Sequence, residues 1–140
     1  MGNKRVSILI VEDHETTRRA LALLVSSLLT VKHDCSTVAT AEEALLLLES
    51  WFFHLVLVDI NLPGASGLDL TSLIQRQYPD TVVILVSGAA GLRDMKERLM
   101  SRCFDCIDKT ANVQELKDSI RRALEFQESI AGDRYHLPSV

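Results

Sequence analysis

Short apolar segments alternate with helical patterns five times along the chain. The segments are predicted strands over residues 6–11, 34–39, 55–58, 82–86 and 103–107. The first, third and fourth are almost continuously apolar, as strands are when helices cover both faces of a sheet. The second contains Asp34, Ser36 and Thr37, which is typical of a sheet edge. The alternation predicts an α/β fold with a doubly wound, five-stranded parallel sheet. The expected topology is a flavodoxin-like (βα)5 with strand order 2-1-3-4-5.

The segments between the strands carry apolar residues at helical spacing. Thr40 and Glu43 form a capping box that predicts where the second helix begins. The helix after Ser87 has the thinnest apolar stripe and glycines at its entry, so it is expected to be the least firmly anchored. The stripe fades after residue 128, which predicts a single domain over 1–128 and a C-terminal tail or truncated linker over 129–140.

Composition narrows the class of protein. A chain of 140 residues with 47% hydrophobic and 24% charged residues fits one globular domain. The net charge of −4 disfavours direct binding to nucleic acid, which needs a basic face. Three cysteines are too few for a disulfide framework, and no apolar stretch is long enough to cross a membrane. We therefore expect a cytoplasmic protein.

Polar residues follow the predicted strands where each one ends. Glu12 and Asp13 follow the first strand, Asp59 the third, Ser87 the fourth, and Asp108-Lys109 the fifth. The carboxyl ends of parallel strands meet at one edge of the sheet, where ligands bind. Three carboxylates gathered there repel one another unless a cation neutralises them. Mg²⁺ and Lys109 would do so, and together they would neutralise an incoming phosphoryl group that one carboxylate could accept as nucleophile.

Four motifs in order carry a resemblance to the receiver domain of two-component response regulators, over about residues 6–126. They are Ile8-Leu9-Ile10-Val11-Glu12-Asp13, Asp59-Ile60-Asn61-Leu62-Pro63-Gly64-Ala65-Ser66-Gly67, Leu85-Val86-Ser87-Gly88 and Ile107-Asp108-Lys109. The resemblance implies a phosphorylation-dependent switch rather than an enzyme, one that assists only its own phosphorylation and dephosphorylation.

The resemblance also implies roles for single residues. Asp59 would be the phosphoacceptor. Asp13, Asp59 and the main-chain carbonyl of Asn61 would ligate Mg²⁺, with Glu12 acting through a bound water. Ser87, Lys109 and the Gly88 amide would hold the phosphoryl oxygens, and the side chains of Asn61 and Ala89 would tune the phosphoryl lifetime.

Partners follow from the same resemblance. The phosphodonor would be a sensor histidine kinase or a phosphotransfer protein. The signal would pass through Ser87 and Cys106 to the fourth helix, fifth strand and fifth helix. That face would contact a partner, a second copy of the chain in a homodimer, or an output domain missing from this chain.

Two positions depart from the family pattern. Cys106 stands where receivers usually carry an aromatic residue that swings inward on activation, and Thr110 stands where many carry a proline. The second departure, together with His14, resembles the subfamily whose output is a LuxR-type helix-turn-helix domain.

Three other functions are compatible with parts of the same pattern. A degenerate receiver could act as a binding module without phosphorylation. An aspartyl phosphohydrolase of the haloacid dehalogenase type needs a second aspartate as general acid, where this chain has Asn61. A serine hydrolase would need a nucleophile elbow that the sequence around Ser87 lacks.

The spacing of Cys103 and Cys106 is that of a redox or zinc CxxC. The predicted strand would place them on opposite faces, which favours buried packing. A zinc site would need His33 and Cys35 as its remaining ligands.

Overall fold

Five parallel strands form one sheet in the order β2-β1-β3-β4-β5. The computed structural model describes residues 5–64, 66–88 and 92–135. The strands are β1 Val6–Val11, β2 His33–Val38, β3 Leu55–Asp59, β4 Val82–Ser87 and β5 Asp105–Asp108. The helices are α1 Glu15–Leu28, α2 Ala41–Ser50, α3 Gly67–Gln77, α4 Leu92–Met100 and α5 Val113–Tyr135. The predicted fold class and strand order are confirmed.

Two apolar layers cover the sheet, one on each face. The cluster on one face joins β1, β3 and β4 to α1 and α5, with Val25, Leu116 and Ile120 as helix contributions. The cluster on the other face joins the same strands to α2, α3 and α4, with Leu48, Ile74 and Leu99. Every residue of β3 and β4 is buried, whereas β2 is mostly half-buried or exposed. The polar second strand is therefore the edge strand that its composition predicts.

Side chains that accept a main-chain N–H cap the first three helices. Thr40 Oγ1 accepts the Glu43 N–H at 3.1 Å, and Glu43 returns a carboxylate oxygen to the Thr40 hydroxyl and the Ala39 N–H. This is the predicted capping box. Ser66 accepts the Asp69 N–H in the same way, and His14 Nδ1 accepts the Thr17 N–H. These caps fix the loops that lie at the carboxyl edge of the sheet.

The fifth strand differs from the sequence prediction, and helix α5 is longer than the apolar stripe alone indicates. The fifth strand begins at Asp105 rather than at Cys103, because Cys103 lies in the turn after α4 and its thiol donates to the carbonyl of Leu99. Helix α5 continues past residue 128 to Tyr135, with Ile130 half-buried against the α1/α5 layer. The division into residues 1–128 and a tail or linker over 129–140 stays a prediction.

Helix α4 contributes Leu99 to the core. The side chains from Lys96 to Arg98 are exposed. Residues 89–91 at its entry, including Ala89, lie outside the described residues. The weak anchoring of this helix stays a prediction. Among the helices of the described ranges, none combines the length and the apolar composition that a membrane crossing requires.

Candidate functional site

The polar residues at the strand ends come together at the carboxyl edge of the sheet. Asp59 ends β3 opposite Val86 of β4, and Ser87 ends β4 opposite Asp108 of β5. Glu12 and Asp13 follow β1, and Lys109 follows β5. The sheet register thus sets three carboxylates, a hydroxyl and an ammonium group at neighbouring strand ends, the convergence that the sequence predicts.

The ammonium group of Lys109 joins two of the carboxylates. Its Nζ lies 2.5 Å from Glu12 Oε1 and 3.1 Å from Asp59 Oδ2. Both contacts are ion pairs, and the one with Asp59 is also a hydrogen bond. Glu12 and Asp59 are 1% and 5% exposed. Lys109 therefore neutralises two carboxylates that are almost removed from water.

Burial and charge act against each other in this cluster. Burial raises the pKa of the Glu12 carboxyl, although Lys109 and the His14 N–H both lower it. Burial lowers the pKa of Lys109, but Glu12 and Asp59 outweigh that effect and leave its pKa above the ordinary value. The ammonium form of Lys109 is thus held at neutral pH, because its loss would leave two buried negative charges unbalanced.

The acidic cluster fits a hard divalent cation. One carboxylate oxygen from each of Glu12, Asp13 and Asp59 can be chosen so that all three lie within 4.8 Å of one another. Asp13 is exposed, and it lines an open cavity of about 390 Å³ together with Asn61. Oxygen ligands and access to water are what Mg²⁺ requires in proteins. No other cluster of potential metal ligands occurs in the described part of the chain.

The loop between β3 and α3 closes tightly on Asp59. The Asn61 N–H donates to Asp59 Oδ1 at 3.0 Å, and the Gly67 N–H donates to the carbonyl of Ile60 at 2.8 Å. A Cβ on Gly67 would come 2.1 Å from the main-chain oxygen of Asp59. Gly64 adopts φ +82°, the left-handed region that favours glycine. Ala65 lies outside the described residues. The two glycines thus shape the loop that orients Asp59.

Ser87 and Gly88 lie beside the stem of Lys109. Ser87 is 2% exposed, and its carbonyl accepts the Lys109 N–H at 2.8 Å. A Cβ on Gly88 would meet Lys109 Cδ at 3.3 Å. Beyond Lys109 the Thr110 N–H and hydroxyl both donate to Asp108 Oδ1, and the chain has no cis peptide bond among the described residues. Asp108 therefore orders the loop at the position where the family often has proline.

Cys106 is a core residue of β5. It is 1% exposed and lies in the same apolar cluster as Leu99 and Cys103. The prediction that the two thiols face opposite sides of the sheet is wrong, because Cys103 precedes the strand. Burial raises the pKa of Cys103 to about 12 and that of Cys106 to about 11. Thiols that stay protonated are poor nucleophiles and metal ligands, so the structure supports buried packing.

The zinc alternative fails on topology. His33 and Cys35 lie on β2, at the opposite edge of the sheet from β5. Their side chains cannot complete a site with Cys103 and Cys106 without dismantling the sheet between them.

Two side chains, those of Arg18 and Asp105, make contacts that were not expected from the sequence. Arg18 Nη1 donates to the main-chain carbonyls of Glu12 at 3.0 Å and Asp13 at 3.3 Å. Asp105, 3% exposed on β5, accepts from the Ser119 hydroxyl at 2.6 Å and from Arg122 at 3.1 Å. An arginine early in an amphipathic helix and an aspartate in a short strand carry no pattern that indicates these partners.

Comparison with known sequences agrees with this geometry. The family model described as the response regulator receiver domain matches residues 8–121. The response regulator proteins PilR and FleR of Pseudomonas aeruginosa are 30% and 32% identical over 123 and 115 residues. Those matches cover 88% and 82% of this chain but 27% and 24% of the relatives. The chain therefore spans about a quarter of the length of these two proteins.

Solved structures give the same result for the fold. The signal receiver domain of an HD domain-containing protein from Pseudomonas fluorescens superposes with a TM-score of 0.77 at 31% identity, covering 90% of this chain and 99% of that one. The response regulator TrrA of Thermotoga maritima, solved in complex with Mg²⁺-BeF, gives 0.73 at 28% identity, covering 85% and 99%.

Proposed function

The chain belongs to the family of response regulator receiver domains of two-component systems, and we propose that Asp59 is the residue on which it accepts a phosphoryl group. The observation that carries the proposal is the ion pair of Lys109 with Asp59 and Glu12 at the carboxyl edge of the sheet. Of the three carboxylates in the cluster, Asp59 is the one that ends a strand, contacts the lysine and is oriented by a neighbouring main-chain N–H.

Transfer of the phosphoryl group to Asp59 requires little covalent chemistry from the protein. A carboxylate oxygen of Asp59 attacks phosphorus, the bond from phosphorus to the donor nitrogen or oxygen breaks, and the leaving group departs with that electron pair. No proton needs to be removed from Asp59, because its carboxylate is already the nucleophile. Lys109 lies within 3.1 Å of the attacking group, so its charge can follow the phosphoryl oxygens as they arrive.

We assign Mg²⁺ to the acidic cluster. Asp13, Asp59 and the Asn61 carbonyl would hold it, with Glu12 acting through a bound water. When bound, Mg²⁺ supplies charge neutralisation for the phosphoryl oxygens. Both oxygens of Glu12 already have contacts, Oε1 with Lys109 and Oε2 with the His14 N–H. This supports an outer role for Glu12 and a direct one for the exposed Asp13.

Ser87, Gly88 and Lys109 would hold the transferred group. Ser87 and Lys109 are joined through the Ser87 carbonyl, so a movement of one backbone displaces the other. Cys106 would relay the signal from Ser87. The surface formed by α4, β5 and α5 would then change its conformation. The buried thiol lacks the size of the usual aromatic residue, so the change at this face would pass through backbone shifts of β4 and β5.

Partners and location belong to the same proposal. A sensor histidine kinase or phosphotransfer protein would donate the phosphoryl group in the cytoplasm. An output domain, a separate partner or a second copy would read the α4-β5-α5 face. The chain would act as a signalling domain without direct binding to nucleic acid and without an enzyme activity beyond its own phosphorylation and dephosphorylation. A LuxR-type output stays a prediction.

The experiment is intact-protein mass spectrometry after incubation with Mg²⁺ and acetyl phosphate. We expect one added phosphoryl group on the parent and none on Asp59→Asn. Asp69→Asn, which changes an exposed carboxylate in the first turn of α3, is the matched control and should behave as the parent. A phosphoryl group retained by Asp59→Asn would overturn the assignment. A folded parent that binds Mg²⁺ but takes up no phosphoryl group would favour the degenerate binding module.

A further inference from the structure

The turn between β1 and α1 carries two of the three carboxylates, and one arginine holds its main chain. Arg18 lies in the first turns of α1, and its Nη1 donates to the carbonyls of both Glu12 and Asp13. The Glu12 N–H is bound to the carbonyl of Val38 on β2 at 3.0 Å. The turn is therefore tied to β2 on its strand side and to α1 on its helix side.

Among the described residues, no main-chain N–H outside the helices and strands donates to either of these carbonyls. The first helical hydrogen bond of α1 runs from the Arg18 N–H to the His14 carbonyl at 2.8 Å. Glu12 and Asp13 lie between the end of β1 and the first residue of α1. Their carbonyls therefore accept neither a helical hydrogen bond nor one of the β-sheet. Carbonyl groups in such a turn need a partner, and the Arg18 guanidinium serves both with one nitrogen.

We propose that Arg18 is a positioning residue for Mg²⁺: it holds the main chain of Glu12 and Asp13 so that their carboxylates converge on Asp59. This inference rests on the proposed function, since it concerns the same acidic cluster. Inside the turn, Glu12 Oε2 accepts the His14 N–H at 3.1 Å, which fixes the Glu12 side chain. Asp13 is exposed and has no such tether among the hydrogen bonds described for the site. The contact of Arg18 with the Asp13 carbonyl therefore sets the position of the main chain from which the Asp13 side chain extends.

The charge of Arg18 and its hydrogen bonds predict opposite effects on metal affinity. A positive charge near the cluster repels a dication, so removing it would tighten Mg²⁺ binding if charge were its only contribution. Removing the two charge-assisted hydrogen bonds frees the turn and disperses the ligands, which weakens binding. Arg18 is half-buried and its guanidinium contacts a surface turn, where solvent and salt screen the charge effect. The positioning effect should therefore prevail.

The test is Mg²⁺ binding by isothermal titration calorimetry, with melting temperature across a Mg²⁺ titration as a second readout. We expect Arg18→Met to bind Mg²⁺ about tenfold more weakly than the parent, the lower end of the loss typical when a residue that orients metal ligands is removed. Arg18→Lys, which restores a cationic donor, should fall between the two. Arg19→Met is the matched control, because it removes the same charge from the same helix. Arg19 is exposed and pairs only with Glu15 in the described structure. It should stay within about twofold of the parent.

Phosphorylation by acetyl phosphate at increasing Mg²⁺ gives a third readout. The Mg²⁺ concentration for half-maximal rate should rise in Arg18→Met, while the rate at saturating Mg²⁺ stays near that of the parent. Arg18→Met binding Mg²⁺ as tightly as the parent, or more tightly, would overturn the inference and leave the proposed function intact. A parent that binds no Mg²⁺ would overturn both. If circular dichroism shows that Arg18→Met does not fold, Arg18→Gln and Arg18→Lys replace it, with the same expected direction and the same overturning result.

Discussion

Gly67 packs against the main chain of Asp59 so closely that an added Cβ would lie 2.1 Å from the Asp59 carbonyl oxygen. Real Cβ atoms do not approach an oxygen that closely, so the loop admits no side chain at this position. Gly67 does not have the positive φ that favours glycine, which Gly64 has in the same loop. The requirement at position 67 is therefore one of space, and it ties the start of α3 to the proposed phosphoacceptor.

Gly67→Ala should lower the free energy of unfolding by about 2 kcal/mol or more, as overpacking against backbone does. Urea unfolding would measure the loss, and phosphoryl uptake should fall with it because the loop around Asp59 must shift. Gly88→Ala is the matched comparison. Its methyl group would meet the flexible Lys109 side chain at 3.3 Å, so we expect a clearly smaller loss. Equal losses for the two variants would contradict the close approach at Gly67.

Lys109→Met tests the neutralisation of the buried carboxylates. Without the ammonium group, Glu12 and Asp59 face each other uncompensated, and we expect the free energy of unfolding in EDTA to fall by about 1–3 kcal/mol. Mg²⁺ should raise the melting temperature of this variant more than that of the parent, since the metal then replaces the missing charge.

Lys117→Met, at an exposed position on α5, is the control for the loss of a lysine. It should leave both the stability in EDTA and the response to Mg²⁺ close to those of the parent. A Lys109→Met variant that is as stable as the parent in EDTA would show that the lysine does not balance the cluster.

The sequence predicts the sheet and the site well because both depend on patterns of residue type. Buried parallel strands need continuous apolar runs, and β1, β3 and β4 have them. Ligand-binding residues in such a sheet follow the strands, which is where Glu12, Asp59 and Lys109 stand. The polar second strand is equally informative, since only an edge strand tolerates Asp34 and Ser36.

The contacts that the sequence did not predict depend on three-dimensional detail. The sequence predicts Cys103 to be in a strand because it adjoins apolar Phe104. In the structure Cys103 lies in a turn, where its thiol contacts the carbonyls of Leu99 and Asp105. The hydrogen bonds of Arg18 join its side chain to the main-chain carbonyls of Glu12 and Asp13. A main-chain carbonyl is the same group in every residue type. A pattern of residue types carries no information about either contact.

Asp105 links β5 to α5, and its removal should be costly. It is 3% exposed and accepts from Ser119, Arg122 and the Cys106 N–H. Asp105→Ala leaves the buried Ser119 hydroxyl and the Cys106 N–H without that acceptor, so we expect a loss of about 2–3 kcal/mol in the free energy of unfolding.

Arg122→Met should cost less, about 1 kcal/mol or below, because the Arg122 side chain is 50% exposed and Asp105 keeps two donors. Arg121→Met, which removes the neighbouring exposed arginine, should have almost no effect. Chemical denaturation of the three variants gives the order directly, and an Arg122→Met loss as large as that of Asp105→Ala would locate the main contribution in the ion pair.

The two buried thiols predict how stability changes at alkaline pH. Burial raises the pKa of Cys103 to about 12 and that of Cys106 to about 11, from an ordinary value of 9.0. Above pH 9 the thiols of the unfolded chain lose protons while those of the folded chain keep them. The folded state then binds more protons, so the free energy of unfolding falls as pH rises, by up to about 1.4 kcal/mol per pH unit for each thiol.

Urea unfolding with reductant present, from about pH 8 to about pH 10, should therefore show a steeper decline for the parent than for Cys103→Ala/Cys106→Ala. The double variant starts lower because it leaves small cavities, and only the slopes are compared. Lys109, whose pKa is also raised, contributes a decline of the same sign at still higher pH, and that contribution cancels in the difference between the two proteins. Parallel curves over this range would show that Cys103 and Cys106 ionise in the folded state as readily as in the unfolded chain, and would contradict the raised pKa of the two thiols.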